Sequence, residues 1–258
     1  MIGLRRIFPP DDPPKGPWIP LQGEIVHATF RRRVNRFVAE VDLDGSPTRV
    51  HVPNSGRLKQ LAFPGKRVIL RSVASPARKT RHDWIMAKTS GGWALVDSRM
   101  GGTVFARSLQ EGRLQEFADA VAVHRERKLG NSRLDFFVEF SGRPDCWIEV
   151  KSITLTASVP WGFEARFPDA PTGRGRRHLG ELLRARGMGY RAAVLFAVGR
   201  PEATSVAGNA EVDPEFAAML WEAVAAGVEV YAYRIDCSPE LGYRLGPGLQ
   251  VHLGNLAR

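Results

Sequence analysis

The sequence predicts two units of mixed class, α+β overall: a small closed β-barrel first, then an α/β-like mixed sheet flanked by helices. Three observations carry this reading. Residues 23–97 alternate short strand-like runs with turn residues and show no helical period. From residue 98 the spacing changes, and Leu114, Phe117, Ala118 and Val121 recur at helical intervals. Residues 192–198 form a continuous apolar run, as expected of a strand buried on both faces.

In the first unit, strands are expected at 24–30, 36–43, 48–52, 66–72, 84–87 and 93–96. They are punctuated by Asp44-Gly45-Ser46-Pro47, Pro53-Asn54-Ser55-Gly56 and Phe63-Pro64-Gly65-Lys66, rich in the residues that favour turns. So many short strands in so few residues suit a barrel of the OB type. Residues 1–20 hold six prolines and little periodicity, which predicts an extended arm. The expected boundaries are therefore 1–20, 21–97 and 98–258.

The second unit should begin with a helix within 103–120, interrupted at Gly112. A strand at 121–128 and a hairpin of 132–138 with 146–153 follow, the hairpin turning at Ser141-Gly142-Arg143-Pro144-Asp145. Leu179, Leu182 and Leu183 mark a helix ending near Gly187-Met188-Gly189, ahead of a strand at 190–198. Asp213-Pro214 reads as a cap plus a proline in the first helical turn, with Phe216, Leu220, Ala223 and Val224 on one face and Gly227 at the end. A last strand is expected at 228–235. The order helix, three strands, helix, strand, helix, strand is also the core order of the restriction-endonuclease-like, PD-(D/E)xK fold.

Composition narrows function. With 43% hydrophobic and 25% charged residues the chain reads as an ordinary globular protein. No apolar run approaches the roughly 20 residues of a membrane helix, and the start lacks the apolar core of a secretory signal, so no membrane partner and a cytoplasmic location are expected. Cys146 and Cys237 sit in apolar strand-like segments, without the spacing of a metal or redox pair. The net charge of +10 is unevenly placed: residues 1–97 hold 17 Lys and Arg against 8 Asp and Glu, residues 98–258 hold 20 against 19. A basic excess confined to the barrel suggests a footprint for a polyanion, DNA first and RNA as the alternative. Arg31, Arg32, Arg33, Arg36, Arg57, Arg78, Lys79 and Arg81 are the candidate phosphate contacts, with Phe30, Phe37, Trp84 and Trp93 serving as stacking surfaces or as barrel core.

The chemistry lies in Asp135 and, fourteen positions on, Glu149-Val150-Lys151. Residues two apart on a strand project from one face, so Glu149 and Lys151 stand side by side, and Asp135 can join them from the neighbouring strand. Two carboxylates, with a main-chain carbonyl near Val150, suit Mg²⁺ or Mn²⁺. Lys151 would then assist water attacking a phosphodiester. The competing reading is a structural Asp-Lys-Glu ion-pair cluster.

Val52-Pro53-Asn54-Ser55-Gly56-Arg57-Leu58, Pro76-Ala77-Arg78-Lys79, Ser132-Arg133-Leu134-Asp135-Phe136, Arg143 through Leu155 and Phe167-Pro168-Asp169-Ala170-Pro171-Thr172 closely resemble the sugar fermentation stimulation protein (SfsA) family over roughly residues 21–250. The resemblance implies an OB-like domain, a nuclease-like domain and DNA binding. It makes Asp135, Glu149 and Lys151 the PD-(D/E)xK triad and Glu126 an additional acid; metal-dependent phosphodiester cleavage is the activity expected from the chemistry of the triad and not from the resemblance. A non-catalytic DNA-binding regulator built on a nuclease-like fold is the alternative. Arg174-Gly175-Arg176-Arg177-His178-Leu179-Gly180-Glu181 resembles the family's helix start, with Arg176 and Arg177 where Gln-Lys is usual, so both join the candidate DNA contacts.

Three smaller signals have two readings each. His178 near a helix start contacts phosphate or a metal-held water, or simply packs. Asp169 faces the cleft or caps a turn. Glu126, between Arg125 and Arg127, is a further acid or a surface ion pair.

Overall fold

The computed structural model describes residues 16–75 and 77–253. Most of the expected arm and Pro76 of the Pro-Ala-Arg-Lys motif lie outside that range.

The first unit is a barrel of β1 (Ile25–Asn35), β2 (Val38–Leu43), β3 (Ser46–His51), β4 (Arg67–Ser72) and β5 (His82–Thr89), extended by β6 (Gly92–Leu95). The strand order is β3-β2-β1-β4-β5-β6, and a parallel bridge between His51 and Asp83 joins β3 to β5 and closes the ring. β1 runs further than its apolar residues suggest. Arg31, Arg32 and Arg33 continue the strand to a tight turn, with register shifts against β2 on either side of them. Phe30 and Trp84 fill the barrel core, their rings 5.1 Å apart, whereas Phe37 is exposed and Trp93 packs outside the barrel.

The second unit starts with α1 (Arg99–Gln110). The helix expected to 120 stops early because Gly112 adopts a left-handed φ of 63°; Leu114 and Phe117 are buried from a short 3₁₀ turn, which mimics helical spacing. Then come β7 (Ala120–Leu129), β8 (Ser132–Phe140), β9 (Cys146–Ile153), β10 (Thr156–Val159), β11 (Gly162–Phe167), α2 (Gly173–Gly187), β12 (Arg191–Val198), β13 (Ala203–Gly208), α3 (Pro214–Ala225), β14 (Glu229–Ser238), β15 (Gly242–Gly248) and β16 (Gln250–His252). The main sheet has the order β15-β14-β12-β9-β8-β7. A smaller sheet, β10-β11-β13-β16, had no counterpart in the sequence reading, because its short strands sit among Gly, Pro and Trp turns.

β12 shows how the layers form. Ala193, Leu195 and Ala197 pack into one core with α1, and Ala192, Val194, Phe196 and Val198 into the other with α2 and α3. Alternation on a strand buried on both faces produces that division. α1 approaches closely because residue 101 is glycine: a Cβ there would lie 2.6 Å from that of Ala197. α3 is capped as its sequence indicates, with the Asp213 side chain accepting from Phe216 N–H.

Barrel and sheet share a wall. Ile69, Ile85, Met86 and Leu95 of the barrel belong to the same apolar core as α1 and the main sheet. Polar ties add to it: Gln60 exchanges hydrogen bonds with the backbone of Thr156 at 2.7 and 3.0 Å, and Arg99 of α1 reaches Asp83 at 3.1 Å. Asp83, 1% exposed, also binds His51, Arg71 and Arg78. Residues 16–20, assigned to the arm, are pinned instead, since Ile19 exchanges backbone hydrogen bonds with Tyr243 of β15 at 2.6 and 3.0 Å.

Candidate functional site

β8 and β9 pair antiparallel with Phe136 opposite Ile148 and Phe137 opposite Trp147. One step further, this register sets Asp135 opposite Glu149. The ladder itself ends there, and Asp135 Oδ2 takes the Val150 N–H at 2.6 Å in place of a strand carbonyl. Glu149 and Lys151 share the face of Trp147, beneath α2. The Lys151 ammonium donates to Glu149 Oε1 at 2.6 Å, and His178 Nδ1 meets the same oxygen.

His178 is therefore part of this cluster rather than a packing residue. Its other nitrogen, Nε2, accepts from Arg174 Nε at 3.4 Å, which leaves Nδ1 as the protonated nitrogen facing Glu149. Glu149, Lys151 and His178 are 4%, 9% and 5% exposed. Glu149 Oε2, by contrast, is buried with no hydrogen-bond partner. A buried carboxylate oxygen without a donor is costly.

The electrostatics separate the two acids. Burial, with the adjacent charge of Glu149, pushes Asp135 up to about 7, against the pull of the Val150 N–H and Lys151; Glu126 adds a smaller upward push. Burial also opposes ionisation of Glu149, but the His178 hydrogen bond and the Lys151 charge outweigh it and hold the carboxyl below its usual range. Two carboxylates with one orphaned oxygen and one acid held near neutrality form an oxygen-rich setting that a hard divalent cation fits. Among the described residues, however, no group of three or more His, Cys, Asp or Glu is arranged to hold a metal. A metal here would complete its shell with backbone oxygen, water or substrate.

The other candidates divide. Glu126 is exposed on β7 and makes no ion pair among the described residues; it has a left-handed φ of 53° and stands across the ladder from Asp135. Asp169 joins the two units, accepting from Arg57 N–H at 2.7 Å, and lines a cleft of about 210 Å³ with Leu58, Lys59, Gln60 and Leu155. Three arginines expected to meet phosphate are held internally. Arg33 bonds the carbonyls of Asn54 and Gly56, Arg78 binds Asp83, and Arg176 binds Asp213 and Glu215. Arg32 pairs with Glu40 and Arg36 with the Ser55 carbonyl, both at the surface. Arg31, Arg57, Lys79, Arg81 and Arg177 are exposed, with no side-chain ion pair among the described residues. Sequence reasoning missed Gln60 and Arg200, which meet at 2.6 Å beside the cleft. Neither lies in a motif, so only the docking of the two units brings them together. Among the described residues no helix is long and apolar enough to cross a membrane.

Fold and site together define an OB-type barrel joined to a restriction-endonuclease-like sheet with an acidic pair and a lysine at its heart. Two family models match in tandem: the SfsA N-terminal OB domain over residues 32–96 and the sugar fermentation stimulation protein RE domain over residues 99–241. The chain belongs to the SfsA family. A sugar fermentation stimulation protein homolog of Moorella thermoacetica is 40% identical over 86% of this chain and 94% of its own. A homolog of Symbiobacterium thermophilum is 41% identical over 91% and 97%. Among solved structures, SfsA of Pyrococcus furiosus in complex with Ca²⁺ is similar at a TM-score of 0.83 and 29% identity, covering 92% of this chain and 99% of that one.

Proposed function

We propose that the protein binds DNA and hydrolyses its phosphodiester bonds with a divalent metal. The observation that carries this reading is the pairing of Asp135 with Glu149, whose Oε2 is buried and unpartnered, beside Lys151 on the same sheet face. The Pyrococcus relative's structure is a Ca²⁺ complex, which supports a hard-cation preference. Asp135, Glu149 and the Val150 carbonyl would hold Mg²⁺ or Mn²⁺. When bound, the ion would supply Lewis-acid polarisation of the phosphodiester.

The chain's own residues do the rest. Lys151 places a cation where negative charge develops on the phosphoryl oxygens. His178 donates to Glu149 from α2 and fixes the carboxylate, so Oε2 stays aimed at its place. Arg57 and Arg177, together with Arg31, Lys79 and Arg81 on the barrel, offer contacts to the backbone of the nucleic acid.

One observation favours the regulator reading. Lys151 and His178 both converge on Glu149 Oε1, as they would in a closed ion-pair cluster. The deciding experiment incubates the full chain with labelled single- and double-stranded DNA, in Mn²⁺ or in EDTA, beside Lys151→Ala. Hydrolysis predicts metal-dependent cutting that falls about 100-fold or more in the variant while binding persists. Binding without cutting on every substrate would leave the regulator.

A further inference from the structure

The tip of the β7–β8 hairpin carries charge that the site described above does not use. Arg125, Arg127 and Lys128 on β7 and Arg133 on β8 are all exposed, and none forms an ion pair among the described residues. The one acid between residues 120 and 134 is Glu126. Nearby acids are already engaged, Glu139 with His124 at 3.1 Å and Glu181 with Arg184 at 3.0 Å.

Lys128 and Arg133 are direct cross-strand partners. Like charges so placed repel and destabilise a hairpin. No ion pair among the described residues offsets this repulsion, whereas an anionic ligand would. The basic excess of the sequence is concentrated before residue 98, so these cations are hidden in an almost neutral half of the chain and only the register brings them together.

Their position gives them a purpose. Arg133 lies two residues before Asp135 on β8, and Lys128 faces Arg133 across the ladder. β8 runs antiparallel to β9, so the hairpin tip lies at the end of the sheet toward which β9 runs. At that same end the barrel docks, through Gln60 and Thr156. The hairpin, on the β7 edge, and the barrel residues Arg57 and Lys59, beside Gln60, are thus basic elements at one end of the sheet.

We infer that the β7–β8 hairpin is a second backbone-binding element, in which Arg125, Arg127, Lys128 and Arg133 contact nucleic-acid phosphates at the β7 edge of the sheet. The inference rests on the reading that the site receives a phosphodiester chain. A nucleic-acid strand reaching the acids would then be held by the sheet edge as well as by the barrel.

The test measures binding of the full-length chain to a labelled DNA duplex by fluorescence anisotropy across a salt series, with EDTA present so that no cleavage intervenes. Each phosphate contact contributes about 0.9 to the slope of log affinity against log salt. Lys128→Ala/Arg133→Ala and Arg125→Ala/Arg127→Ala should each lower the slope by about 2, with thermal stability unchanged or raised because repulsion is removed. The charge-conserving Lys128→Arg/Arg133→Lys should keep the wild-type slope. Unchanged slope and affinity in both alanine pairs, with the wild type binding normally, would overturn the hairpin element and leave the proposed function intact. A wild-type chain that binds no duplex at any salt would overturn the proposed function and this inference together.

Discussion

Two of the buried carboxylate centres in this chain are balanced in opposite ways. In the barrel, the carboxylate of Asp83 is met by His51 at 2.9 Å and by three guanidiniums, Arg71 at 2.8 Å, Arg78 at 2.5 Å and Arg99 at 3.1 Å, the last shared with Asp97. In the sheet, Glu149 takes both Lys151 and His178 on one oxygen and leaves the other without a partner, while Asp135 has the Val150 N–H. Burial opposes ionisation in both places. Around Asp83 the hydrogen bonds from Arg78, Arg71, His51 and Arg99 overcome it and hold the acid far below its ordinary range, whereas Asp135 is pushed up. The over-compensated acid is a fastener, since Arg99 ties the start of α1 to the barrel. The under-compensated pair keeps an acid oxygen without a donor.

The largest effect should come from breaking the fastener. Asp83→Ala leaves Arg71 and Arg78 without a counter-charge, while Arg99 keeps Asp97, and removing one partner of a buried ionic group typically costs about 3–5 kcal/mol. Urea denaturation should show this loss. A change below about 1 kcal/mol would mean that the arginines simply turn to solvent and that the contrast between the centres is weaker than drawn.

A smaller effect sharpens the other side. If the sheet acids receive a divalent ion, Mn²⁺ at about 100 times its dissociation constant should stabilise the fold by about 2.7 kcal/mol. Asp135→Asn should abolish that gain while leaving the metal-free protein at least as stable, because a repelling charge is gone. An equal Mn²⁺ response in the variant would move the ion elsewhere.

The smallest effect is in acid. Because the folded value of Asp83 is lowered, its contribution is complete above the unfolded value of about 4 and is lost as the pH falls below it. The urea midpoint of the wild type should therefore drop between about pH 5 and about pH 3 more steeply than that of Asp83→Ala. Parallel pH dependences would show that other acids dominate.

The sequence makes one half of this comparison visible and hides the other. Asp135, Glu149 and Lys151 stand out because strand periodicity and one hairpin suffice to gather them, so local rules place them correctly. His178 was within reach but ambiguous, since its partner arrives from β9 through the packing of α2. Asp83 carries no motif at all. Its partners come from β3, β4, a loop and α1, and only barrel closure brings them to one point. The same reason explains the arginines: Arg78 and Arg33 read as a basic surface until the fold shows Arg78 on a buried acid and Arg33 on carbonyls of the 54–56 loop. At the element level, continuous apolar runs and capped helices were legible, while β10, β11, β13 and β16 were not, because each is too short and turn-flanked to show a period.

The apolar residues Ile69, Ile85, Met86 and Leu95, which face out of the barrel into the core beneath α1, have a consequence for how the chain can mature. During synthesis the barrel emerges from the ribosome first, with a greasy flank that stays wet until β14 and β15 have been made. It can close early but cannot finish early. Cutting the chain between the two units would strip that flank and unpair Ile19 from Tyr243, so fragments should be sticky where the intact molecule is not, and heating should melt both halves in a single step.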